Sequence, residues 1–270
     1  MPELPEVETV VRQLAPFLLG RRVCCLEILD PKLESPEKDS VGGRTILEVV
    51  RAGKQAVIRL SPLPGSTLPL WLSFHLRMTG RLIMDGWQSG QQEKHLRARL
   101  VLDRGCLNFF DVRRFGVIDI RHSPGQVRPQ GLDPLSPAFT GRALAKLLCG
   151  PGRQVKPWLL RQDRLAGIGN IYASEILFHA GIDPRREVAG LTAEEIKHLH
   201  HSTRKVLRLA IENCGTTFSD FQDTRGRAGT FQDLLSVYRR EAQPCRRCGE
   251  PVVRIVQQQR STFFCPACQR

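Results

Sequence analysis

The 270-residue chain is large enough for one big domain or two ordinary ones, and 41% apolar with 25% charged residues is an ordinary globular composition. Lysine and arginine number 40 against 27 acids, a net charge of +13 that disfavours acidic partners and points to a polyanion, either nucleic acid or an anionic membrane surface. No apolar run nears the roughly 18 residues of a membrane span, the acidic N-terminus has no signal core, and nine cysteines, an odd count, argue for a reducing, cytoplasmic setting over a disulfide scaffold.

The chain opens Met-Pro-Glu-Leu-Pro-Glu-Val-Glu, and Leu4, Val7, Val11 and Leu14 form the apolar stripe of a docked first helix that can turn Glu3 and Glu6 to one side. Methionine before a small residue is commonly removed, which would leave Pro2 as a secondary amine. An α-amino group titrates near ~8 against ~10.4 for lysine, so about a tenth is free base at pH 7. Such an amine is a nucleophile fit for a sugar C1′, and a secondary amine gives a permanently charged iminium that favours elimination. The plainer reading of these features alone is an ordinary amphipathic helix.

Short Val/Ile/Leu-rich runs separated by Gly, Pro and Ser follow, at Arg22–Leu29, Thr45–Val50, Gln55–Leu60, Leu68–Leu76, Leu96–Leu102 and Phe115–Ile120. They predict an antiparallel β-sandwich or barrel. Residues 121–138 hold Pro124, Pro129, Pro134 and Pro137 and read as a linker. Helical periodicity then takes over at Thr140–Cys149, Asn170–Ala180 and Thr192–Cys214, the last opening on a Thr192/Glu195 capping box. Residues 215–235, with Gly215, Gly226 and Gly229, read as a mobile loop. The second half is the more basic: residues 141–270 carry 21 basic and 12 acidic side chains, against 19 and 15 before them.

The tail carries Cys245-x-x-Cys248 and Cys265-x-x-Cys268 around a predicted hairpin of Val252–Val256 and Ser261–Phe264. Two CxxC knuckles at this spacing predict one structural Zn2+, since four thiolates complete a tetrahedron and leave no position for water. From Arg239 on the tail has seven basic and two acidic residues, which suits a phosphate-facing finger. Cys24, Cys25, Cys106, Cys149 and Cys214 lie in apolar surroundings and are expected in the core. His198, His200 and His201 have no acidic or cysteine partner at useful spacing and are expected as exposed helix residues.

Six segments in order resemble the bacterial formamidopyrimidine-DNA glycosylase family: Pro2-Glu-Leu-Pro-Glu-Val-Glu-Thr9, His75-Leu-Arg-Met-Thr-Gly80, Asp111-Val-Arg-Arg-Phe-Gly116, Lys156-Pro-Trp-Leu159, Gly167-Ile-Gly-Asn-Ile-Tyr-Ala-Ser-Glu175 and Gln259-Arg-Ser-Thr-Phe-Phe-Cys265. They span essentially the whole chain. The resemblance implies an α+β multidomain fold: an N-terminal catalytic helix and β-sandwich over 1–121, a linker over 122–138, a helical helix-two-turns-helix domain over 139–237 and a zinc finger over 238–270.

It also implies a bifunctional glycosylase and lyase of base excision repair, excising oxidised purines (8-oxoguanine and formamidopyrimidines) through a Schiff base and cutting the strand by β,δ-elimination. The partner would be double-stranded DNA with oxidised bases or abasic sites. The protein would act as a monomer, without a membrane, in the bacterial cytoplasm at the nucleoid.

Site residues carry over by position. Pro2 would be the nucleophile, Glu3 the general acid/base, Lys54 the group for β-elimination and phosphate binding, and Arg260 the group for δ-elimination. Met78, Arg113 and Phe115 would fill the gap left by the extruded nucleotide, and Asn170 would bind phosphate. His75, His95, Arg153, Lys156 and Tyr238 would be further DNA contacts. The chemistry agrees. Extruding a nucleotide costs a few kcal/mol, which intercalated side chains offset. An arginine fork can bond the orphaned base, and a helix N-terminus after Gly167-Ile-Gly169 suits a phosphate.

Arg77 and Thr79 stand where the family commonly has Gly and Ser, Val112 where it has Pro, and the loop Phe221–Phe231 is particular to this chain. Two competitors remain. An endonuclease VIII-like enzyme would prefer oxidised pyrimidines, but that branch usually begins Pro-Glu-Gly-Pro-Glu. A non-catalytic DNA-binding damage sensor would not need Pro2, Glu3, Lys54 and Arg260.

Overall fold

The computed structural model describes residues 1–86, 93–149, 152–218 and 221–270. The chain gathers into two compact units, Met1–Arg128 with Asn213–Gln232, and Pro129–Glu212 with Asp233–Arg270.

The first unit starts with helix α1 (Leu4–Leu18), which buries Val7, Val10, Val11, Leu14 and Leu18 as its apolar spacing requires. Among the described residues eight strands follow: β1 (Val23–Ile28), β2 (Ile46–Ala52), β3 (Gln55–Leu60), β4 (Leu70–His75), β5 (Gly80–Met84), β6 (Leu96–Leu102), β7 (Cys106–Asp111) and β8 (Val117–Arg121). They form two antiparallel four-stranded sheets, ordered β1-β6-β7-β5 and β2-β3-β4-β8. One apolar cluster draws on both sheets and on α1, including Leu26, Leu82, Leu100 and Phe109 from one sheet and Ile58, Leu72, Phe74 and Ile118 from the other. This is the sandwich expected from the sequence. Strands β5 and β7 lie in the stretch read as strands but do not stand out as runs of their own. Asn108 and Asp111 are buried polar residues in β7, so its burial does not alternate and period-two reading fails.

The core assignment of the lone cysteines is corrected. Cys24, Cys25 and Cys149 are exposed, and Cys106 and Cys214 are half-buried. A bulge between Val23 and Cys25 lets two consecutive residues of β1 face outward, so an apolar run does not place both in the core. The linker expectation also needs amending. A short helix, α2 (Pro124–Val127), is capped reciprocally by Ser123 and Gln126, and Leu132 bridges to Leu165.

The second unit contains α3 (Gly141–Leu148), α4 (Val155–Leu159), α5 (Asn170–Ala180) and α6 (Ala193–Glu212), then the hairpin β9 (Val253–Gln257) and β10 (Arg260–Phe264). The capping box of α6 is present: Glu195 accepts the Thr192 N–H at 2.7 Å and donates its own N–H to the Thr192 hydroxyl at 3.2 Å. Helix α4 is too short, with Pro157 inside it, to give a periodic signal, yet all five of its residues are buried.

Residues 213–232, read from the sequence as part of the helical domain, pack instead with the first unit. Their described part is not a bare loop. Thr216 is held by Glu6, and Thr224 by Gln13, both from α1. Asp223 collects the N–H groups of Arg225 and Arg227 at 2.9 and 2.8 Å. Among the described residues no helix is long and apolar enough to cross a membrane.

Candidate reaction centre and nucleic-acid interface

At the head of α1, Pro2 is buried beneath an exposed Met1, and Glu3 is 4% exposed. Glu3 caps the helix: its side chain accepts the Glu6 N–H, and Glu6 Oε2 accepts the Glu3 N–H at 2.7 Å. Glu6 Oε1 accepts the Thr216 N–H at 2.8 Å. Glu3 and Glu6 thus meet at the head of the helix, where Glu6 is 1% exposed and engaged with backbone at both oxygens. Its fit is tight: Gly215 has φ +76°, and a Cβ there would lie 2.7 Å from Glu6 Oε1.

Lys54 lies in the two-residue turn between β2 and β3, where Ala52 pairs with Gln55 and Gly53 takes φ +61°. It is 9% exposed, well below what a surface lysine would show.

Two neighbouring turns carry the residues assigned to the nucleotide gap. Met78 follows β4 and is 38% exposed; Phe115 follows β7 and is 52% exposed, so neither belongs to the core. A single carboxylate ties both turns. Asp111, 1% exposed, accepts the Thr79 hydroxyl and the Arg113 N–H (3.2 Å) on one oxygen and the Gly116 N–H (2.6 Å) on the other. The Thr79 hydroxyl also accepts the Arg113 N–H at 3.1 Å. The exposed segment Val112–Phe115 is thus pinned at both ends, with the Arg113 guanidinium 5.0 Å from the Phe115 ring centre.

Arg114 turns the other way, with φ +58°, and grips Asp30 with two bonds of 2.7 and 2.6 Å. That bidentate bond holds the 3%-exposed Asp30 carboxyl down at about 2, against the desolvation that opposes it. Asp30, Thr79 and Asp111 were missed as site residues. Asp111 opens a quoted motif and could have been suspected, whereas Asp30 is distant in sequence and gives no signal.

His75, at the end of β4, accepts the Arg77 N–H on Nδ1 at 3.1 Å, which leaves Nε2 as the protonated nitrogen of the neutral ring. Burial, then the charges of Arg77 and Lys54, lower its pKa to about 4. A neutral imidazole with a fixed Nε2–H is a hydrogen-bond donor whose state does not change at physiological pH. His95 is half-buried in the turn before β6.

In the second unit, Asn170 is the first residue of α5, and its Nδ2 donates to the Ser261 carbonyl at 2.9 Å. Lys156, expected to contact DNA, is 1% exposed. Its ammonium instead donates to Asn170 Oδ1 (2.6 Å), the Ser261 carbonyl (3.1 Å) and Thr262 Oγ1 (2.7 Å), binding α4, α5 and β10 together. Arg260 is exposed at the start of β10, after a Gln258-Gln259 turn with φ values of +45° and +61°. Hairpin turns of this twist favour Asn-Gly, so the glutamines are held there at a conformational cost.

Tyr238 is half-buried, edge-on to Phe263 at 5.1 Å, and its N–H joins those of Ser236 and Val237 on the fully buried Glu175 carboxylate. Burial pushes the Glu175 pKa up against those three donors. Arg153 is exposed and lines a hollow of about 320 Å³ with Trp158, Arg161 and Arg164.

The four cysteine sulfurs of Cys245, Cys248, Cys265 and Cys268 lie within 4.8 Å of one another. Cys245 to Cys268 is 3.9 Å and Cys248 to Cys265 is 3.5 Å, against the roughly 3.8 Å edge of a tetrahedron with Zn–S bonds of about 2.3 Å. The Arg247 N–H points at Cys245 Sγ from 3.4 Å, a donor that favours a thiolate. The donor set fits one structural zinc. Among the described residues no other group of three or more such side chains converges. His198 and His201 are exposed on α6 as expected, but two points are corrected: His198 has an acidic partner one turn back, Glu194 at 3.3 Å, and His200 is half-buried against Phe139, whose carbonyl it meets at 3.0 Å.

Comparison with known proteins covers nearly the whole chain. Residues 1–118 match the formamidopyrimidine-DNA glycosylase N-terminal domain, 130–222 the H2TH domain of the same enzymes, and 242–270 the zinc finger found in these enzymes and in isoleucyl-tRNA synthetase. A formamidopyrimidine-DNA glycosylase from Pelotomaculum thermopropionicum is 42% identical across 100% of this chain and 99% of its own. The crystal structure of the Thermus thermophilus protein superposes with a TM-score of 0.87 at 38% identity, covering 99% of this chain and 98% of the other. The Lactococcus lactis protein, solved in complex with abasic-site DNA, gives 0.85 at 31% identity and 99% coverage of both.

Proposed function

Because the chain belongs to the formamidopyrimidine-DNA glycosylase family, we propose that it excises oxidised purines from duplex DNA and then cuts the strand at the abasic site. The observation that carries this reading is the pair of turns tied by Asp111, which holds Met78, Arg113 and Phe115 out from the protein surface. Exposed apolar and cationic side chains on pinned turns suit insertion into a base stack. Phe115 stacks, Met78 fills the irregular gap and Arg113 bonds the orphaned base.

Removal of Met1 frees the Pro2 nitrogen. Its lone pair forms a bond to C1′ of the extruded nucleotide, the C1′–N bond pair leaves with the base, and the Pro2 nitrogen, now an ammonium, sheds its N–H proton, which the base takes up. Opening of the sugar sends the C1′–O4′ pair to oxygen, where Glu3 delivers a proton, leaving the iminium. Lys54 serves β-elimination and phosphate binding, and Arg260 serves δ-elimination. Asn170, His75, His95, Arg153 and Tyr238 bind the DNA. Lys156 acts from beneath, holding Asn170 and the finger hairpin in place. The zinc finger positions Arg260 and takes no part in bond making.

The relatives' name supports formamidopyrimidine, a ring-opened purine, as substrate, and the Lactococcus complex supports abasic DNA as a ligand. The test is a panel of duplexes with single lesions opposite each base. Efficient release of 8-oxoguanine and formamidopyrimidines, with weaker release of oxidised pyrimidines, is expected. A reversed order would move the protein to the pyrimidine-preferring branch, and binding without release would make it a sensor.

A further inference from the structure

The turn that carries Lys54 is held by an ion pair at Gly53, one residue before it in the chain. Arg51, in β2, has a side chain only 4% exposed. Its Nε donates to Glu8 Oε2 at 2.9 Å, and its Nη1 donates to the Gly53 carbonyl at 3.1 Å. Glu8 lies on α1, and its other oxygen accepts Arg12 Nε at 2.8 Å. One planar guanidinium therefore spans from the helix that Glu3 caps to the turn that carries Lys54. The carbonyl it holds belongs to the peptide group whose nitrogen is that of Lys54. Gly53, at φ +61°, would otherwise give this turn wide conformational freedom.

We propose that Glu8 and Arg51 are positioning residues that keep the Lys54 amine in register with Pro2 and Glu3 for β-elimination, an inference that rests on the role given to Lys54 above. In that step the Lys54 amine, its ammonium having first given a proton to solvent, takes the C2′ proton of the iminium. The C2′–H electron pair becomes the C2′=C3′ bond, the C3′–O pair departs with the phosphate, and the proton stays on Lys54. An error of about 1 Å in such a base can cost about a hundredfold in rate. Formation of the Schiff base needs only the Pro2 nitrogen, so it does not depend on this strut.

The prediction is a split between two steps. Arg51→Lys keeps the charge but loses the fork that reaches Glu8 and Gly53 together. With abasic duplex in single-turnover conditions, it should slow strand cleavage at least tenfold while borohydride-trapped adduct forms within twofold of the wild-type rate. In a Lys54→Ala background the same substitution should slow cleavage by less than a further twofold, because its effect passes through Lys54. Glu8→Gln, which weakens the pair from its partly exposed end, should slow cleavage about threefold without shifting the melting curve. Equal loss of trapping and cleavage, or a full additional loss without Lys54, would overturn the proposal. Wild-type cleavage by Lys54→Ala would remove the role of Lys54 and the proposal with it. Crippled cleavage by Lys54→Ala beside unaffected Arg51→Lys and Glu8→Gln would remove the strut alone.

Discussion

In the first unit, Met78, Arg113 and Phe115 stand on turns organised by acids, with Asp111 gathering donors from both turns and Asp30 gripping Arg114. In the second, Arg260 stands on a hairpin organised by a buried cation and by thiolates, with Lys156 gathering oxygens and four sulfurs converging. The acid-tied turns rest on an apolar cluster shared by two sheets and α1. The finger packs in a smaller cluster, Cys245, Val252, Phe263 and Cys265 against Val237 and against Phe178 of α5, and two of those six are metal ligands. A turn seated on a large core needs only its polar ends satisfied. A hairpin with so little apolar support needs the metal to exist at all.

The largest effect should therefore come from the metal. Zinc in comparable fingers contributes about 10–16 kcal/mol, most of which is local folding. Chelation or Cys248→Ser should strip amide protection from residues 245–268 and weaken duplex binding at least tenfold, while the sandwich keeps its melting transition. Hydrogen exchange beside a binding titration reads both. Affinity within twofold of wild type would show that the hairpin stands without its metal.

Asp111→Ala comes next. It strands the Thr79 O–H and the Gly116 N–H in a buried place and leaves the Arg113 N–H only its bond to the Thr79 hydroxyl, at a cost of about 2–5 kcal/mol. Chemical denaturation should show that loss. Lesion excision should fall more than binding to undamaged DNA, and equal falls would mean that the turns serve only as a surface.

Both regions were legible in outline and opaque in their supports. The CxxC pairs, the α6 capping box and the β3 and β6 boundaries could be read because each is a local pattern of spacing or period. The tie from Asp30 to Arg114 and the tie from Lys156 to Thr262 join residues far apart in sequence, which no period records. Lys156 shows the consequence: the family resemblance implied a DNA contact there, and its partners instead place its ammonium inside, between α4, α5 and β10. Cys24 and Cys25 were misplaced because a bulge changes which way a strand residue faces without changing its neighbours in sequence.

Asp30→Asn should cost about 1.5–3 kcal/mol, the worth of its charged hydrogen bonds. The sign follows from its lowered pKa. The stabilisation is fully present above the ordinary value of 3.8 and is lost as pH falls through about 2. The stability gap between wild type and Asp30→Asn should be flat from pH 8 to 5 and close below pH 4. A gap that widened in acid would contradict the Arg114 clamp.

The smallest effect should be at Arg77, which holds φ +51° where a glycine rests without strain. Arg77→Gly should stabilise by roughly 0.5 kcal/mol, the relief of a left-handed side chain less the added freedom of the unfolded glycine. It should also raise the His75 pKa from about 4 by removing a nearby charge, which an NMR titration would follow. Destabilisation beyond ~1 kcal/mol would mean that the arginine side chain supports the turn.

The central claim is that the nitrogen of residue 2 attacks the sugar, and borohydride trapping on lesion-bearing duplex followed by peptide mapping tests it most directly. The account predicts a covalent adduct confined to the N-terminal peptide, at Pro2, in protein that has lost Met1, and none in protein that retains it. An adduct on Lys54 or another lysine, or full trapping with Met1 in place, would contradict it.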